Sequence, residues 1–301
     1  VSNLLYLAGV DGIPRGNNQL VNGGFDIWQR GAGPFTADLA YTADRWQIDV
    51  AGTDTIQADR EATTKKTNSQ YSSKLAFTLG NGAGASRYRQ RLVIADGYHH
   101  LLGKTVSVRL PVHANAASAA RAVIATDGTS GTSTYSSYHA GNSAWSDLDA
   151  VNVTVPTDAT YIDIGVALAA NVTAYVDNAM LDVGVSARPF MALTPQEELA
   201  KCLRYYEEHG GESTAMYIKT HVLSSGDGGG QQIPYMATKA ATPTVTKNGT
   251  WAVVSCNQPT VSGSYISKKG YFIYATSTAG NVVIAFGCDG TDDTITIEAN
   301  P

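Results

Sequence analysis

The 301-residue chain is 43 % hydrophobic and only 16 % charged, with 30 glycines; that profile supports packed cores joined by tight turns and excludes a disordered tail. The net charge of −5, with no Lys/Arg block, excludes DNA or another polyanion as an expected ligand. No apolar run approaches the ~20 residues that a spanning helix needs, so no membrane partner is expected.

Residues 1–17 read as an N-terminal arm, since "VSNLLYLAGVDGIP" is short, lacks a basic start and is not expected to be a signal peptide. From 18 to about 185 the chain is β-rich. The segments "RWQIDVA" (45–51), "SKLAFTL" (73–79), "RYRQRLVI" (87–94), "KTVSVRLPVHA" (104–114), "ARAVIATD" (120–127), "AVNVTVP" (150–156), "YIDIGVAL" (161–168) and "TAYVDNAMLDVGV" (173–185) alternate or are rich in β-formers. Turn chemistry separates them, as in "GNGAG" (80–84), "DGTSGTS" (127–133), "HAGNS" (139–143) and "PTDAT" (156–160). This spacing predicts a β-sandwich of jelly-roll type over 18–190. "DGYHHLLGK" (96–104) interrupts the strands, with Leu101 and Leu102 placed to close one end of the core.

"TPQEELAKCLRYYEEHGG" (194–211) reads as a helix within a 191–211 linker. Thr194 as N-cap, Pro195 in the first turn and Glu197 three residues on make a capping box. Leu199, Cys202, Leu203 and Tyr206 share a face, Glu197 and Lys201 can pair across one turn, and Gly210 is placed to end the helix. The stripe is expected to fill the seam between two β domains. Residues 212–301 are strands again, at 215–223, 232–246, 250–256, 270–277, 281–288 and 294–299, with "GDGGG" (226–230) and "DGTDD" (289–293) as turns or hairpin loops. The fold class is therefore all-β: two β-sandwich domains, an N-terminal jelly roll and a smaller C-terminal β-sandwich, joined by one α-helix.

The runs "NQLVNGGFDIWQRG" (18–31), "YTADRW" (41–46), "YRQRL" (88–92) with "LLGKTVSVRL" (101–110), and "AYVDNAMLDVG" (174–184) resemble a module of bacteriophage tail-fibre and virion structural proteins, itself similar to jelly-roll carbohydrate-binding modules. "RPFMALTPQEELAKCLRYYEE" (188–208) is similar to the run that follows it in those proteins, and "KAATPTVT" (239–246) to a strand of their C-terminal domains. One departure is "RLPVHAN" (109–115), where such modules often carry an aromatic residue. The resemblance implies a virion protein that binds bacterial surface polysaccharide, partners with other virion proteins and forms a homo-oligomer, most often a trimer. A non-binding decoration or connector protein is the alternative, and a capsule depolymerase a further one. The resemblance also implies a structural Ca²⁺ at Asp26 and Asp177, helped by backbone carbonyls near Asn22 and Gly23. Otherwise these two carboxylates bond turn amides.

Sugar recognition needs flat rings for the C–H face of a pyranose and amides or charges for its hydroxyls. The densest cluster is "STYSSYHAGNSAW" (133–145), giving Tyr135, Tyr138 and Trp145 with His139 and Asn142 between them; half-buried tyrosines at a sandwich rim are the competing reading. Trp28, Trp46 and Trp251 are expected in cores. Asp289, Asp292 and Asp293 form an acidic group that reads as a hairpin tip before a metal site. Cys202, Cys256 and Cys288 have no metal-ligand spacing and read as buried thiols, with pairing of Cys256 and Cys288 left open. No hydrolase elbow, zinc-protease motif or P-loop occurs, so no enzyme is expected, although carboxylates such as Asp147 and Asp149 leave spatial pairing open.

Overall fold

The computed structural model describes residues 18–211, 216–288 and 290–300; the expected arm over 1–17 and Asp289 of the acidic group lie outside them. The chain divides into two compact units, one ending at Cys202 and the other starting at Leu203. Both are built from antiparallel strands, as the alternation predicts.

The first unit contains β1 (Gln47–Asp49), β2 (Thr55–Glu61), β3 (Ser72–Thr78), β4 (Arg87–Val93), β5 (Thr105–Ala114), β6 (Ala120–Thr126), β7 (Ser133–Tyr135), β8 (Trp145–Thr154), β9 (Tyr161–Leu168), β10 (Val172–Val176) and β11 (Met180–Val183). Strands pair in nested fashion: β3 with β10, β4 with β9, β5 with β8 and β6 with β7. The pairs alternate between a six-stranded sheet, containing β2, β3, β10, β5, β8 and β11, and a five-stranded sheet in the order β1-β4-β9-β6-β7. That is the jelly-roll arrangement.

Alternation decides which side chains meet between the sheets. On β5, Val106, Val108, Leu110, Val112 and Ala114 are fully buried, as are Ile162, Ile164, Val166 and Leu168 on the facing sheet. Each such Val, Leu or Ile contributes about 1.5–3 kcal/mol by leaving water. The intervening β5 residues, Arg109 and His113 among them, point to the opposite face of the sheet. Two 3-10 turns, Ile94–Asp96 and His99–Leu101, interrupt the strands after β4, and buried Leu101 closes the core there as expected.

The segment "NQLVNGGFDIW" knits the start of the unit to its last strand. The Gln19 N–H donates to Leu181 O at 3.1 Å, the Leu181 N–H to Asn18 Oδ1 at 3.0 Å and Asn18 Nδ2 to Ala179 O at 2.9 Å. Asn22 takes a left-handed backbone (φ 54°), and its amide side chain bonds both backbone groups of Ile27. Phe25 then packs 4.5 Å from Trp46, and Trp28 and Trp46 are core residues, as predicted. A Cβ on Gly23 would stand 2.4 Å from Ala179 O, so only glycine fits this crossing. Gly23→Ala is expected to lower stability by about 2 kcal/mol, measured by denaturant unfolding, because the backbone at Ala179, just before β11, must give way.

The helix α1 spans Pro195–Cys202, shorter than the 194–209 segment predicted. Its start is as expected: the Glu197 N–H donates to Thr194 Oγ1 at 3.3 Å, and the Thr194 N–H donates back to Glu197 Oε2 at 3.0 Å. Its end is set by tertiary pairing instead of by Gly210. Residues Tyr206–Gly210 form a strand in register with Thr294–Glu298, burying Tyr205 and Tyr206. The predicted stripe is split accordingly: Cys202 is buried, but Leu199 is 38 % exposed.

The second unit holds β12 (Tyr206–Gly210), β13 (Tyr217–Val222), β14 (Gly228–Pro234), β15 (Thr244–Lys247), β16 (Ala252–Val254), β17 (Thr260–Val261), β18 (Gly270–Thr276), β19 (Val282–Gly287) and β20 (Thr294–Glu298). They make three three-stranded sheets, β12-β20-β15, β13-β19-β16 and β14-β18-β17. Tyr206 faces Glu298, Tyr217 faces Gly287 and Gly228 faces Thr276, so equal lengths of chain separate successive sheets on both partners. The unit is thus one three-stranded ribbon bent at two corners. Its three facets close on a shared core of Ile218, Trp251, Tyr271, Ile273, Ile284, Phe286, Ile295 and Ile297, which gives this smaller unit its sandwich-like packing. Cys202, Cys256 and Cys288 are all buried, and no disulfide joins them.

Candidate functional site

The cluster singled out in 133–145 is not one surface. Tyr135, at the end of β7, and Tyr138 are both partly exposed, but the Arg121 guanidinium from β6 lies over them, 3.7 Å and 4.6 Å from the ring centroids. One face of each ring is therefore taken by a cation. His139 is 1 % exposed: Nε2 lies 3.0 Å from Ala144 O, and Nδ1 accepts the Gly141 N–H at 2.9 Å. It locks the loop and has no nitrogen left for a sugar. Asn142 is exposed on that loop. Trp145 opens β8 and belongs to the other sheet.

On the outer face of the six-stranded sheet, Trp145 joins residues from four other strands. Cross-strand register places Trp145 opposite His113, His113 opposite Tyr175, Tyr175 opposite Lys74, and Lys74 opposite Asp59. The His113 ring lies 5.8 Å from Trp145 and 5.2 Å from Tyr175, edge-on to both. Lys66 Nζ stands 5.9 Å from the Trp145 ring centroid. The result is a half-buried aromatic row ending in a Lys/Asp pair. Such a row offers apolar ring surface and charged hydrogen-bonding ends side by side.

Depressions flank the row on both sides. One, of about 420 Å³, is lined by Ala76, Thr173, Asn115 and Asn171. The other, of about 200 Å³, is lined by Lys66, Arg109, Pro111, Asp147, Asn178 and Phe190. In the latter, Arg109 grips Asp149 with two hydrogen bonds of 2.9 and 2.6 Å and stands 3.6 Å from Asp147. The Asp149 hydrogen bonds hold the guanidinium pKa above its ordinary value. The Asp147/Asp149 pair is thus bridged by a cation instead of facing a gap where a glycosidic bond could lie.

The Asp26 charge is near enough to Asp177 to add to the rise in the Asp177 pKa. Asp26 Oδ1 accepts the Gln70 and Tyr71 N–H groups at 3.0 and 3.1 Å, the turn-amide arrangement. Asp177 differs. It is fully buried, Oδ2 accepts the Lys66 N–H at 2.8 Å, and Oδ1 has no hydrogen-bond partner among the described residues. Burial pushes its carboxyl up to about 7, against the pull of the Lys66 amide, the Ser69 hydroxyl and the Asn178 amide. A buried, half-satisfied carboxylate beside a second carboxylate fits an oxygen-ligated cation, with backbone carbonyls completing the shell. Asp293 is tied into its turn, Oδ2 accepting the Gly290 N–H at 3.1 Å. Among the described residues, no group of three or more His, Cys, Asp or Glu side chains that could hold a metal ion occurs.

Sequence reasoning passed over His113 and Tyr175. His113 lies in the very "RLPVHAN" segment read as lacking a ring, and Tyr175 in a segment read only as a strand. The available signal was phase: His113 and Tyr175 alternate with buried Val112, Ala114, Ala174 and Val176, so both must face outward.

No family model and no curated protein matches the chain. Solved structures do. The chain is similar to the C-terminal family 22 carbohydrate-binding module of Clostridium thermocellum Xyn10B, at 16 % identity and a TM-score of 0.36 over 51 % of this chain and 95 % of that one. It is similar to TmCBM61, solved in complex with β-1,4-galactotriose, at 13 % identity and a TM-score of 0.34 over 56 % and 99 %. A third likeness is to the enzymatically active domain of bacteriophage CBA120 tailspike protein 4, at 14 % identity and a TM-score of 0.35 over 56 % of this chain and 22 % of that one.

Proposed function

We propose that the chain is a phage or phage-like virion fibre or spike protein that binds bacterial surface polysaccharide without cleaving it. The observation that carries the binding is the outward row Trp145–His113–Tyr175–Lys74 between two depressions. Three rings supply surface for the C–H faces of sugars, and Lys74, Asp59, Asn115 and Thr173 supply donors and acceptors. The same row favours a binder over a purely structural connector, because His113 puts a ring in the segment that reads as having lost one. The virion setting, bacterial host attachment and a homo-oligomeric, trimeric state rest on the resemblance of residues 18–246 to tail-fibre proteins. Several weak sites on one oligomer would raise avidity by orders of magnitude.

A structural Ca²⁺ belongs to this reading. Asp177 and Asp26 would hold it, and it would fix the loop that carries Lys66 beside the aromatic row. It supplies no chemistry beyond charge neutralisation and loop order.

Simultaneous alanine substitution of Trp145, His113 and Tyr175 is expected to weaken binding to isolated host polysaccharide about 100-fold, roughly 1 kcal/mol per ring. The partly exposed rings leave the inner core intact, so the thermal midpoint should move by only a few degrees. Affinity electrophoresis and a thermal melt on the same preparation check both; unchanged retardation would refute the assignment of this face.

A further inference from the structure

We propose that the outer face of the sheet β14-β18-β17 is a second, independent carbohydrate-binding platform, one that takes neutral polysaccharide. On β18, Tyr271, Ile273 and Ala275 point into the core, which turns Phe272 and Tyr274 outward. Their rings lie 6.3 Å apart and only 23° from parallel. Tyr265, 63 % exposed, extends the series 5.8 Å from Phe272. Three rings therefore lie along one facet in a run, the first two stacked with nearly parallel planes.

The neighbouring strand is cut back to make room. Gly228, Gly229 and Gly230, which read as part of a turn in the sequence, open β14 instead. Gly230 pairs with Tyr274, and a Cβ there would stand 2.6 Å from the Tyr274 Cβ; a Cβ on Gly228 would stand 3.8 Å from the Tyr274 ring. The glycines let the ring lie across bare backbone. Gly229 faces the other way, where a Cβ would stand 2.1 Å from Thr220 Cγ2 and 2.8 Å from Ile284 Cδ1, so it serves the packing beneath the sheet.

The chemistry around the rings selects the ligand. Beside them stand Gln232, opposite Phe272; Thr260, opposite Tyr274; and Asn257, whose Nδ2 donates to Thr276 Oγ1 at 3.0 Å. These outward groups are rings, amides and hydroxyls, with no charged side chain among them. The charged side chains nearest in sequence, Asp227, Lys268 and Lys269, lie beyond the ends of β14 and β18, and between them a neutral polyol finds apolar faces for its C–H bonds and uncharged donors and acceptors for its hydroxyls.

The test uses the full chain in affinity electrophoresis against hydroxyethylcellulose, xylan, galactomannan and dextran. The starting background carries alanine at Trp145, His113 and Tyr175, so the first unit's face is silent. The proposal expects retardation by at least one of these polymers to persist there. It expects Tyr274→Ala to weaken that retardation about 10-fold and the exposed Tyr265→Ala a few-fold, with thermal midpoint and oligomeric mass unchanged. Three results would overturn it: no retardation in the silent background, retardation that survives loss of both tyrosines, or a change of oligomeric mass in either variant, which would make the facet a contact between copies. The two faces fail separately: loss of binding in the triple variant alone speaks only to the first unit.

Discussion

Glu207→Ala is expected to destabilise the second unit by about 3–5 kcal/mol, because it strands a buried cation. Glu207 is 1 % exposed. Its carboxylate accepts hydrogen bonds from Lys239 Nζ at 2.6 Å and from the Met236 N–H at 2.9 Å, and it pairs with His209 Nε2. The Lys239 side chain is itself fully buried, and His209 Nδ1 continues the network to Tyr271 Oη at 3.1 Å. Removing the carboxylate leaves the ammonium in a low-dielectric site with one backbone carbonyl, Leu203 O, as its remaining acceptor. Replacing both partners, Glu207→Gln with Lys239→Met, should cost much less, since no buried charge is left over. Hydrogen exchange across 206–210 and 294–298 reads the loss where it occurs.

The same carboxylate contributes to the unit's stability in acid. Burial alone would raise the Glu207 pKa, but hydrogen bonds from His209 and Lys239 outweigh it and hold the group below its ordinary value of 4.5. The unfolded chain therefore binds this proton more readily than the folded one. The stabilisation is fully present above about pH 5 and is lost as pH falls through the depressed folded value. A Glu207→Gln variant should show a flatter fall in stability below that point.

Such a network is invisible in the sequence, and the reason also explains where sequence reasoning stopped. Most strands were legible because alternation and turn residues are local properties. The β2 strand was not: "TIQADRE" turns only Ile56 and Ala58 inward, and its polar Asp59, Arg60 and Glu61 hide the period. The capping box of α1 was legible because Thr194 and Glu197 are three residues apart; the helix end was not, because it depends on Tyr206 pairing with Glu298. The site follows the same division. Proximity in sequence drew His139 and Trp145 together, yet one is buried in a loop and the other sits on a different sheet. His113, Trp145 and Tyr175 come from three strands, and only cross-strand register makes them neighbours.

Addition of Ca²⁺ is expected to raise the stability of the first unit by about 3–4 kcal/mol at a cation concentration a few hundred times the dissociation constant. Asp177 is fully buried with one oxygen lacking a partner, and the Asp26 charge lies near it. A buried acceptor left unsatisfied costs about 1–3 kcal/mol, and the second carboxylate adds repulsion. A divalent cation removes both penalties at once, which is why its effect should exceed that of an ordinary surface ion. It would also tie the Lys66 backbone, already bonded to Asp177 Oδ2, into a fixed position, and with it the ammonium that stands over Trp145. Chelation should therefore lower both the thermal midpoint and the affinity for polysaccharide. Asp177→Asn should abolish the cation response while sparing the fold, because an amide fills the same space without demanding a counter-charge. If the midpoint of the parent chain is indifferent to Ca²⁺ and to chelator alike, the carboxylates serve turn amides only, and the order of the Lys66 loop must come from protein groups alone.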